Sequence, residues 1–532
     1  MRLQHTTMRA EHRPLVVDDE DALGVEVVGP HLGHIRSLAR KVAREIRFSA
    51  SAKSSAILPP VRGVVAAGDR NTADAAAAAL RRGGNAVDAA VAGAFAAFVA
   101  EPLLASAGGA GMLTAALPGS APICVDFFPA APRLPSGPLD FFEVIIDFGA
   151  TTQAFHVGRG SVAPPLALPG LIEASHHGAL PLSELVSPAV RMAREGAVLG
   201  KEGAHVFELL WPIQTLSPEA LALAGGGRPQ AGDALTNPAL ADLLEELGAL
   251  GQTPPRFFDA VLRGFGPDQG GLLTEEDLRA TPTTGAPRQL RLGDWTVLTS
   301  PRIGGKLVEV ILGALDGSPP EADEVAEVVR LAEACRSGHD ARSAFDARGS
   351  TTHISVLDGE GGAASVTLTN GEGCGYVAEG TGVQMNNFLG EEDLNPAGFH
   401  RHARGVPLPT MVAPTVGLHH GRPAMAVGSG GSNRIRSVVS QVLHRVMRGE
   451  PVEHAVRAPR VHAESDHVWI ELADRVDPEA IVEALRGRFT TVHPFAGRAF
   501  YFGGVHATLI DAEGRTHAAA DARRGGAINF VA

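Results

Sequence analysis

A predicted hairpin in the second half of the chain carries the residues that could perform nucleophilic chemistry. Residues 350–356 alternate in the manner of a strand, and an Asp/Gly-rich turn leads into a return strand that ends at Thr369. The symmetric register places Thr351 opposite Thr369 and His353 opposite Thr367, and another turn type would shift it by a residue or two. A Thr at the start of a strand, with a second hydroxyl behind it, meets the needs of an N-terminal nucleophile.

Cleavage between Ser350 and Thr351 would free the α-amine of Thr351 to act as the base for its own hydroxyl. The ordinary pKa of an α-amine is about 7.7–8.0, so the group is about half neutral near that pH and can accept the proton. The segment from His339 to Ser350 is polar, as expected of a segment that is exposed to cutting. The hairpin therefore predicts a self-processing chain.

Two glycine clusters offer backbone N–H groups that could hold an anion. Residues 428–432 (Gly-Ser-Gly-Gly-Ser) precede a helix predicted to start at Arg434, so their N–H groups would converge near a helix N-terminus and stabilise an oxyanion. Residues 108–111 (Gly-Gly-Ala-Gly) lack the Lys-Ser/Thr of a phosphate loop and fit a close-packing turn better. A nucleotide-binding α/β enzyme built on the second cluster is therefore poorly supported.

Length, composition and charge limit the class of protein. The chain has 532 residues, of which 45% are hydrophobic, so it can bury a large interior. Its formal net charge of −13 argues against a nucleic-acid partner. No run of about 18 apolar residues predicts a transmembrane segment. Residues 1–14 are polar and basic, which indicates no signal peptide and a cytoplasmic location; a periplasmic or secreted location would require a misassigned start.

The chain divides into three predicted parts. Residues 1–60 form an N-terminal extension, in which residues 34–48 show the spacing of a basic amphipathic helix for a membrane surface or a partner. A loosely docked extension without a catalytic role is the favoured interpretation. Residues 61–350 form a large subunit that is helical in its middle. Residues 351–532 form a strand-rich small subunit with a helix from about Arg434 to Met447.

Motifs in residues 60–532 resemble, in the correct order, those of the γ-glutamyltranspeptidase (glutathione hydrolase) family. They are Gly-Gly-Asn-Ala-Val-Asp-Ala-Ala at 83–90, Glu-Pro at 101–102, the cluster at 108–111, Thr-Thr-His-x-Ser-Val-x-Asp-x-x-Gly at 351–361, and further matches at 382–387, 428–434, 502–506 and 521–526. The resemblance implies an N-terminal-nucleophile hydrolase with an αββα sandwich, cut by its own chemistry into two chains that stay together. It implies no cofactor.

The resemblance also implies roles for individual residues. Thr351 would attack an amide carbonyl, and water or an amine acceptor would resolve the acyl-enzyme. Thr369 matches the supporting Thr of the family, and Gly430 and Gly431 fall on its oxyanion-hole glycines. His353 is expected to be structural, because this mechanism gives it no part.

Departures from the family pattern concern the substrate. Phe128 stands where γ-glutamyl enzymes carry an Arg that clamps the substrate α-carboxylate, and loss of such a partner costs about 2–5 kcal/mol. Glu391 falls nearest the acidic position that binds the substrate α-amine. Thr410 keeps a hydroxyl from a Ser-Ser pattern, and Asn370 lies near a substrate-binding Asn of the family. Arg133 could replace the missing Arg but is expected at the surface.

No metal site is predicted. The pairs His176-His177 and His419-His420 are adjacent in sequence, so they lack the i, i+4 geometry of helical ligand pairs, and no third ligand is evident. The three cysteines are far apart and predict buried free thiols.

Three function hypotheses remain open at this point. The leading one is a self-processing Thr hydrolase or acyltransferase that cleaves a small amide with a γ-glutamyl or related acyl group. The second is an amidohydrolase or acylase for a different acyl group, oxamate-like or cephalosporin-like. The third keeps the fold without catalysis, as an uncut relative that binds a partner through its acidic surface or N-terminal helix.

Overall fold

The structure is a computed structural model that describes residues 62–147, 152–316, 323–341 and 351–532. The described residues belong to one compact unit, Pro59–Ala532. The predictions for residues 1–60 and for Ser350 lie outside this part of the chain. Within the described residues no helix combines the length and apolarity needed to cross a bilayer.

The helices of the described residues are α1 (Arg70–Arg81), α2 (Ala86–Ala100), α3 (Ala167–Ser175), α4 (Leu182–Glu195), α5 (Lys201–Leu209), α6 (Trp211–Gln214), α7 (Pro218–Leu223), α8 (Pro238–Leu250), α9 (Pro255–Phe265), α10 (Ile303–Leu315), α11 (Glu324–Asp340), α12 (Arg434–Met447), α13 (Val452–Arg457) and α14 (Pro478–Arg486). Short 3-10 turns lie at Arg159–Ser161, Pro267–Gln269, Asp277–Arg279, Phe388–Gly390, Glu392–Leu394, Phe500–Phe502 and Ala522–Arg524.

The strands are β1 (Gly63–Ala67), β2 (Ala110–Ala116), β3 (Ile123–Phe127), β4 (Phe142–Asp147), β5 (Thr152–Val157), β6 (Ala197–Val198), β7 (Ala234–Leu235), β8 (Thr283–Gly285), β9 (Arg288–Leu292), β10 (Trp295–Thr299), β11 (Thr351–Asp358), β12 (Ala363–Thr369), β13 (Val377–Ala378), β14 (Val383–Gln384), β15 (Thr415–His419), β16 (Arg422–Gly430), β17 (Val461–Glu464), β18 (His467–Glu471), β19 (Thr491–Phe495), β20 (Gly504–Ile510), β21 (Thr516–Ala520) and β22 (Ala527–Val531).

Two antiparallel sheets form the centre of the molecule. The first has the strand order β22-β1-β11-β12-β2-β3-β8, and the second has the order β21-β20-β16-β15-β10-β9. Apolar side chains of both sheets meet between them, among them Val64, Leu357, Val416 and Ala518. Strand β11, which carries the predicted nucleophile, therefore lies inside the first sheet and faces the second.

Helices cover the outer face of each sheet. Every residue of the Ala-rich helix α2 is buried, as expected of a helix that is apolar on all sides. Its small side chains allow a close approach to β11, where the Cδ1 atom of Ile354 lies 3.1 Å from the position that a Cβ on Gly93 would occupy. Helices α10, α12 and α13 pack on the second sheet. The predicted αββα sandwich is confirmed.

The hairpin register agrees with the sequence prediction. Strands β11 and β12 pair with Thr351 opposite Thr369 and His353 opposite Thr367. Asp358 fixes the turn, because its carboxylate accepts hydrogen bonds from the backbone N–H groups of Gly362 and, across the fold, Ala86. The hairpin is thereby held to the start of helix α2.

Candidate active site

The predicted nucleophile lies at the first residue of a central strand. Thr351 is 4% exposed and begins β11, and Thr369 is 6% exposed and ends β12. Since side chains alternate along a strand, Thr351 shares the face of His353 and Ser355, which contact the second sheet. Thr352 lies on the opposite face. Thr351 and Thr369, which pair across the two strands, therefore lie together at one end of the hairpin.

His353 is part of the packing between the sheets. Its Nδ1 lies 2.8 Å from the Thr367 hydroxyl and its Nε2 lies 2.9 Å from the Ser355 hydroxyl. Burial, with a smaller contribution from His506, holds the pKa of this imidazole well below its usual range. The ring is therefore neutral and both of its nitrogens have hydroxyl partners, consistent with a structural role.

Helix α12 begins at Arg434, as predicted, but the glycine cluster at 428–432 that precedes it is mostly strand. Residues 428–430 are the last three residues of β16 and pair with β20, so only the end of the cluster forms a turn. Gly431, with φ +116°, begins that turn. A Cβ on Gly430 would lie 2.0 Å from the carbonyl oxygen of Thr351. The candidate oxyanion donor Gly430 therefore lies directly against the backbone of the predicted nucleophile, and Gly431 follows it in the turn.

A small pocket joins the two threonines to three of the predicted substrate residues. It encloses about 300 Å³. Its lining consists of Phe128, Thr351, Thr369, Phe388, Glu391, Leu394, Thr410, Met411, Val412, Ser432 and Ile435. The rings of Phe128 and Phe388 lie 5.1 Å apart between centroids. Apart from Glu391, the wall away from the threonines is largely apolar, and we call this cavity the acyl pocket.

Asn370 does not line the acyl pocket. Its side chain is fully buried, and neither its amide oxygen nor its amide nitrogen has a hydrogen-bond partner in the described structure. The oxygen lies 3.2 Å from the position that a Cβ on Gly109 would occupy. The structure therefore places Asn370 behind the hairpin end, beside the glycine cluster of residues 108–111.

The basic residues near Phe128 are held by other partners. Arg133, named above as a replacement for the missing Arg, donates to the Ser136 hydroxyl and does not line the acyl pocket. Arg302, which the sequence did not single out, donates from Nε to the Asp126 carboxylate at 2.5 Å and from Nη2 to the Phe128 carbonyl at 3.1 Å. Arg302 supports the segment that carries Phe128 and lies outside the pocket lining.

A buried carboxyl on the other face of β11 was also missed. Glu101 accepts a hydrogen bond from the Thr352 hydroxyl at 2.6 Å and another from the Thr72 hydroxyl at 2.7 Å. Burial, and then the neighbouring carboxylate of Asp69, raise the pKa of Glu101 to about 7. The Glu-Pro pair after helix α2 marked this position in the sequence, but only the fold shows that it contacts the residue after Thr351.

Several residues of the quoted motifs support the scaffold. Asp88 completes a capping box with Asn85 at the start of α2 and also accepts from the N–H of Ala179. The Asn386 side chain donates to the carbonyls of Gly108 and Ala163. Asp88 thereby ties helix α2 to the segment at Ala179, and Asn386 ties the glycine cluster of residues 108–111 to the segment at Ala163.

The prediction that the His419-His420 pair has no third potential ligand is wrong, because Asp294 lies beside it. Asp294, His419 and His420 each offer one ligand atom, and these atoms lie within 4.8 Å of one another. His420 has φ +49°, so the backbone turns and the two adjacent rings come together on one side. Two of the three residues are exposed, and the cluster lies at the surface turns before β10 and after β15.

The three cysteines are buried and free, as predicted.

Comparison with known proteins agrees with this geometry. A family model described as gamma-glutamyltranspeptidase matches residues 72–348 and 339–531. The Acylase ACY 1 proenzyme of Pseudomonas sp. (strain SE83) is 28% identical over 528 residues, which cover 86% of this chain and 92% of that protein. The glutathione hydrolase proenzyme of Pseudomonas aeruginosa is 28% identical over 507 residues, which cover 80% and 87%.

Among solved structures, the cephalosporin acylase of Bacillus halodurans superposes with a TM-score of 0.74 at 21% identity, over 88% of this chain and 96% of that one. This likeness shows a common fold. The family match spans nearly all of the described residues, including both strands of the nucleophile hairpin. The chain therefore belongs to the γ-glutamyltranspeptidase family and is an enzyme of the N-terminal-nucleophile hydrolase type.

Proposed function

We propose that Thr351 is the nucleophile of a self-processing amide hydrolase or acyltransferase. The observation that carries this proposal is the acyl pocket, which joins Thr351 to Thr369 at the hairpin end while Gly430 lies against the Thr351 carbonyl. Cleavage before Thr351 would divide the chain into residues 1–350, which comprise the N-terminal extension and the large subunit (61–350), and a small subunit, residues 351–532.

The chemistry follows from these positions. After cleavage, the Thr351 amine takes the proton of the Thr351 hydroxyl as the oxygen attacks the substrate carbonyl. The tetrahedral oxyanion accepts hydrogen bonds from the N–H groups of Gly430 and Gly431. The C–N bond then breaks, and the leaving amine takes the proton back. Water or an amine acceptor attacks the Thr351 ester and completes hydrolysis or transfer, while Thr369 supports the nucleophile.

The lining of the acyl pocket favours an amide whose acyl group is largely apolar. Phe128, Phe388 and Ile435 offer apolar contact, and the described lining includes no Lys or Arg. A γ-glutamyl group would place its α-carboxylate there without a cationic partner, which is unfavourable in a buried site. Glu391 and Thr410 remain to bind a polar group of the acyl chain.

The self-cleavage proposal is tested by the intact mass of the purified protein under denaturing conditions. We expect two fragments that join at Ser350/Thr351 in the wild type and one full-length species in Thr351→Ala. Thr490→Ala, which removes an exposed Thr of the same predicted subunit, is the matched control and should be cut. A wild-type chain that stays whole after long incubation would favour the third hypothesis, a non-catalytic relative.

The acyl preference needs a separate assay on the cut protein. We expect kcat/KM for a phenylacetyl or butyryl anilide to exceed that for the γ-glutamyl anilide by at least about tenfold, because an unpaired buried charge costs more than 1.4 kcal/mol. A higher kcat/KM for the γ-glutamyl anilide would contradict the apolar assignment and leave the nucleophile assignment intact.

A further inference from the structure

A second cavity lies on the opposite side of strand β11 from the acyl pocket. Its empty space, which opens to solvent, is about 540 Å³. It shares no lining residue with the acyl pocket. Glu101, which binds the Thr352 hydroxyl, lies in its wall together with Asp69, Glu202 and Arg524, so three carboxyl groups and one guanidinium line the cavity. We call it the Glu101 cavity.

Arg524 brings an unneutralised positive charge to this cavity. The side chain is 9% exposed, and its printed hydrogen bonds are two long contacts of 3.4 Å to the Phe500 carbonyl. Its guanidinium lies 4.1 Å from the centre of the Phe500 ring. Among the described residues no carboxylate forms an ion pair with it, whereas the neighbouring Arg460 and Arg523 both pair with Asp521.

Glu101 and Asp69 bring the opposite charge. Glu101 is 8% exposed and is bound by two Thr hydroxyls, with no cation in ion-pair contact among the described residues. Asp69 caps helix α1 through the Asn71 N–H. Burial raises the pKa of both carboxyls. Burial and the nearby Arg434 lower the pKa of Arg524 to about 9, against the opposing effect of Asp521.

We propose that the Glu101 cavity binds a small α-amino acid with an apolar side chain. The ligand carboxylate would pair with Arg524, and its ammonium would pair with Glu101 and Asp69. A zwitterion supplies both missing counterions, whereas a simple anion or cation would leave one side unpaired. The remaining wall is largely apolar and would contact the ligand side chain; it includes Leu103, Leu104, Leu199, Val206, Phe207 and Phe500.

Binding would reach the nucleophile from both ends of the ligand. Arg524 lies beside the candidate oxyanion donors, with its Nη1 atom 3.5 Å from the position that a Cβ on Gly430 would occupy. An ammonium beside Glu101 favours the carboxylate form, which strengthens the hydrogen bond from the Thr352 hydroxyl and holds the start of β11 more firmly. The proposal does not depend on the proposed function, because the two cavities are lined by different residues.

Calorimetric titration of the full-length wild-type protein with L-leucine tests the proposal. L-leucinamide, which lacks the carboxylate, and 4-methylpentanoate, which lacks the ammonium, are the matched probes. We expect each to bind at least tenfold more weakly than leucine. In Arg524→Met, leucine should bind no better than leucinamide does. No binding of leucine, or equal binding of all three compounds, would overturn the proposal.

A second variant, which leaves Arg524 and the carboxyls in place, locates the site even if Arg524→Met does not fold. Gly200 lines the cavity, and a Cβ there would meet its nearest neighbour only at 4.0 Å, so Gly200→Leu can fill the cavity without strain. Gly227→Leu adds the same side chain where nothing lies within 4 Å. We expect leucine binding to be lost in the first and kept in the second and in Phe128→Leu. Loss in Phe128→Leu with retention in Gly200→Leu would place the ligand in the acyl pocket instead and refute the proposal.

Discussion

The raised pKa of Glu101 makes stability depend on pH in a predictable direction. In the folded chain this pKa is about 7 against an ordinary value of 4.5, because the carboxyl is buried beside Asp69. The folded state therefore holds a proton that the unfolded state has released between these two values. Stability must then fall as the pH rises through this window.

The magnitude follows from the same shift. One pKa unit corresponds to about 1.4 kcal/mol, so ionised Glu101 costs the folded chain about 3 kcal/mol, of which about 2 kcal/mol develops between pH 5 and pH 8. Glu101→Gln keeps the shape of the side chain and removes the titration. We expect the variant to lose less stability than its parent across this interval, by about 2 kcal/mol.

The assay is urea unfolding at pH 5 and pH 8 in a Thr351→Ala background, which keeps the chain in one piece. Glu360→Gln, a change at an exposed carboxylate, is the control and should follow its parent at both pH values. If Glu101→Gln and its parent change in parallel within about 0.5 kcal/mol, the carboxyl is not protonated in the folded chain and the reasoning fails.

Three further outcomes are expected. Gly430→Ala should abolish self-cleavage, because its Cβ would lie 2.0 Å from the Thr351 carbonyl oxygen, whereas Gly497→Ala, in open space, should be cut normally by intact-mass analysis. Phe128→Arg should raise kcat/KM for a γ-glutamyl anilide at least about tenfold over Phe128→Leu, and wild-type turnover equal to that of an Arg-bearing relative would contradict this. Burial raises the thiol pKa to about 12 for Cys124, about 11 for Cys335 and about 12 for Cys374. A disulfide reagent should therefore react with none of these thiols in the native protein and with all three after denaturation. Fast reaction of any one of them in the native protein would refute the expectation for that residue.

The nucleophile hairpin could be predicted because its information is local. A short turn with Asp and Gly residues joins two alternating segments, so the register of Thr351 against Thr369 follows from counting. The contacts that surround the hairpin are not local. Thr352 and Glu101 are 251 positions apart, and Arg302 and Asp126 are 176 positions apart. No pattern within a short window of one sequence indicates such pairs.

Close backbone packing explains glycines in both clusters, but the sequence indicated it only for residues 108–111. Gly109 and Gly111 allow the carbonyl oxygens of Thr369 and Thr367 to approach to 2.3 and 2.5 Å from where a Cβ would be, which is the close packing that the sequence indicated. In the cluster at residues 428–432, Gly428 also serves close packing, because it makes room for the His353 ring. The sequence indicated N–H groups near a helix start, whereas most of this cluster is strand in which glycine accommodates a neighbour.

The arrangement separates what the enzyme needs for chemistry from what sets its substrate. Thr351 pairs with Thr369 through the backbone, and Gly430 lies against the Thr351 carbonyl, so a larger residue at position 430 would displace the start of β11. The wall of the acyl pocket is different, because Phe128, Glu391 and Ile435 come from separate segments of the fold, each with its own packing. A substitution in that wall changes the space for the acyl group from a segment outside the hairpin. Substrate preference in this chain is therefore open to change by single substitutions in that wall, whereas enlarging Gly430 would displace the strand that carries the nucleophile.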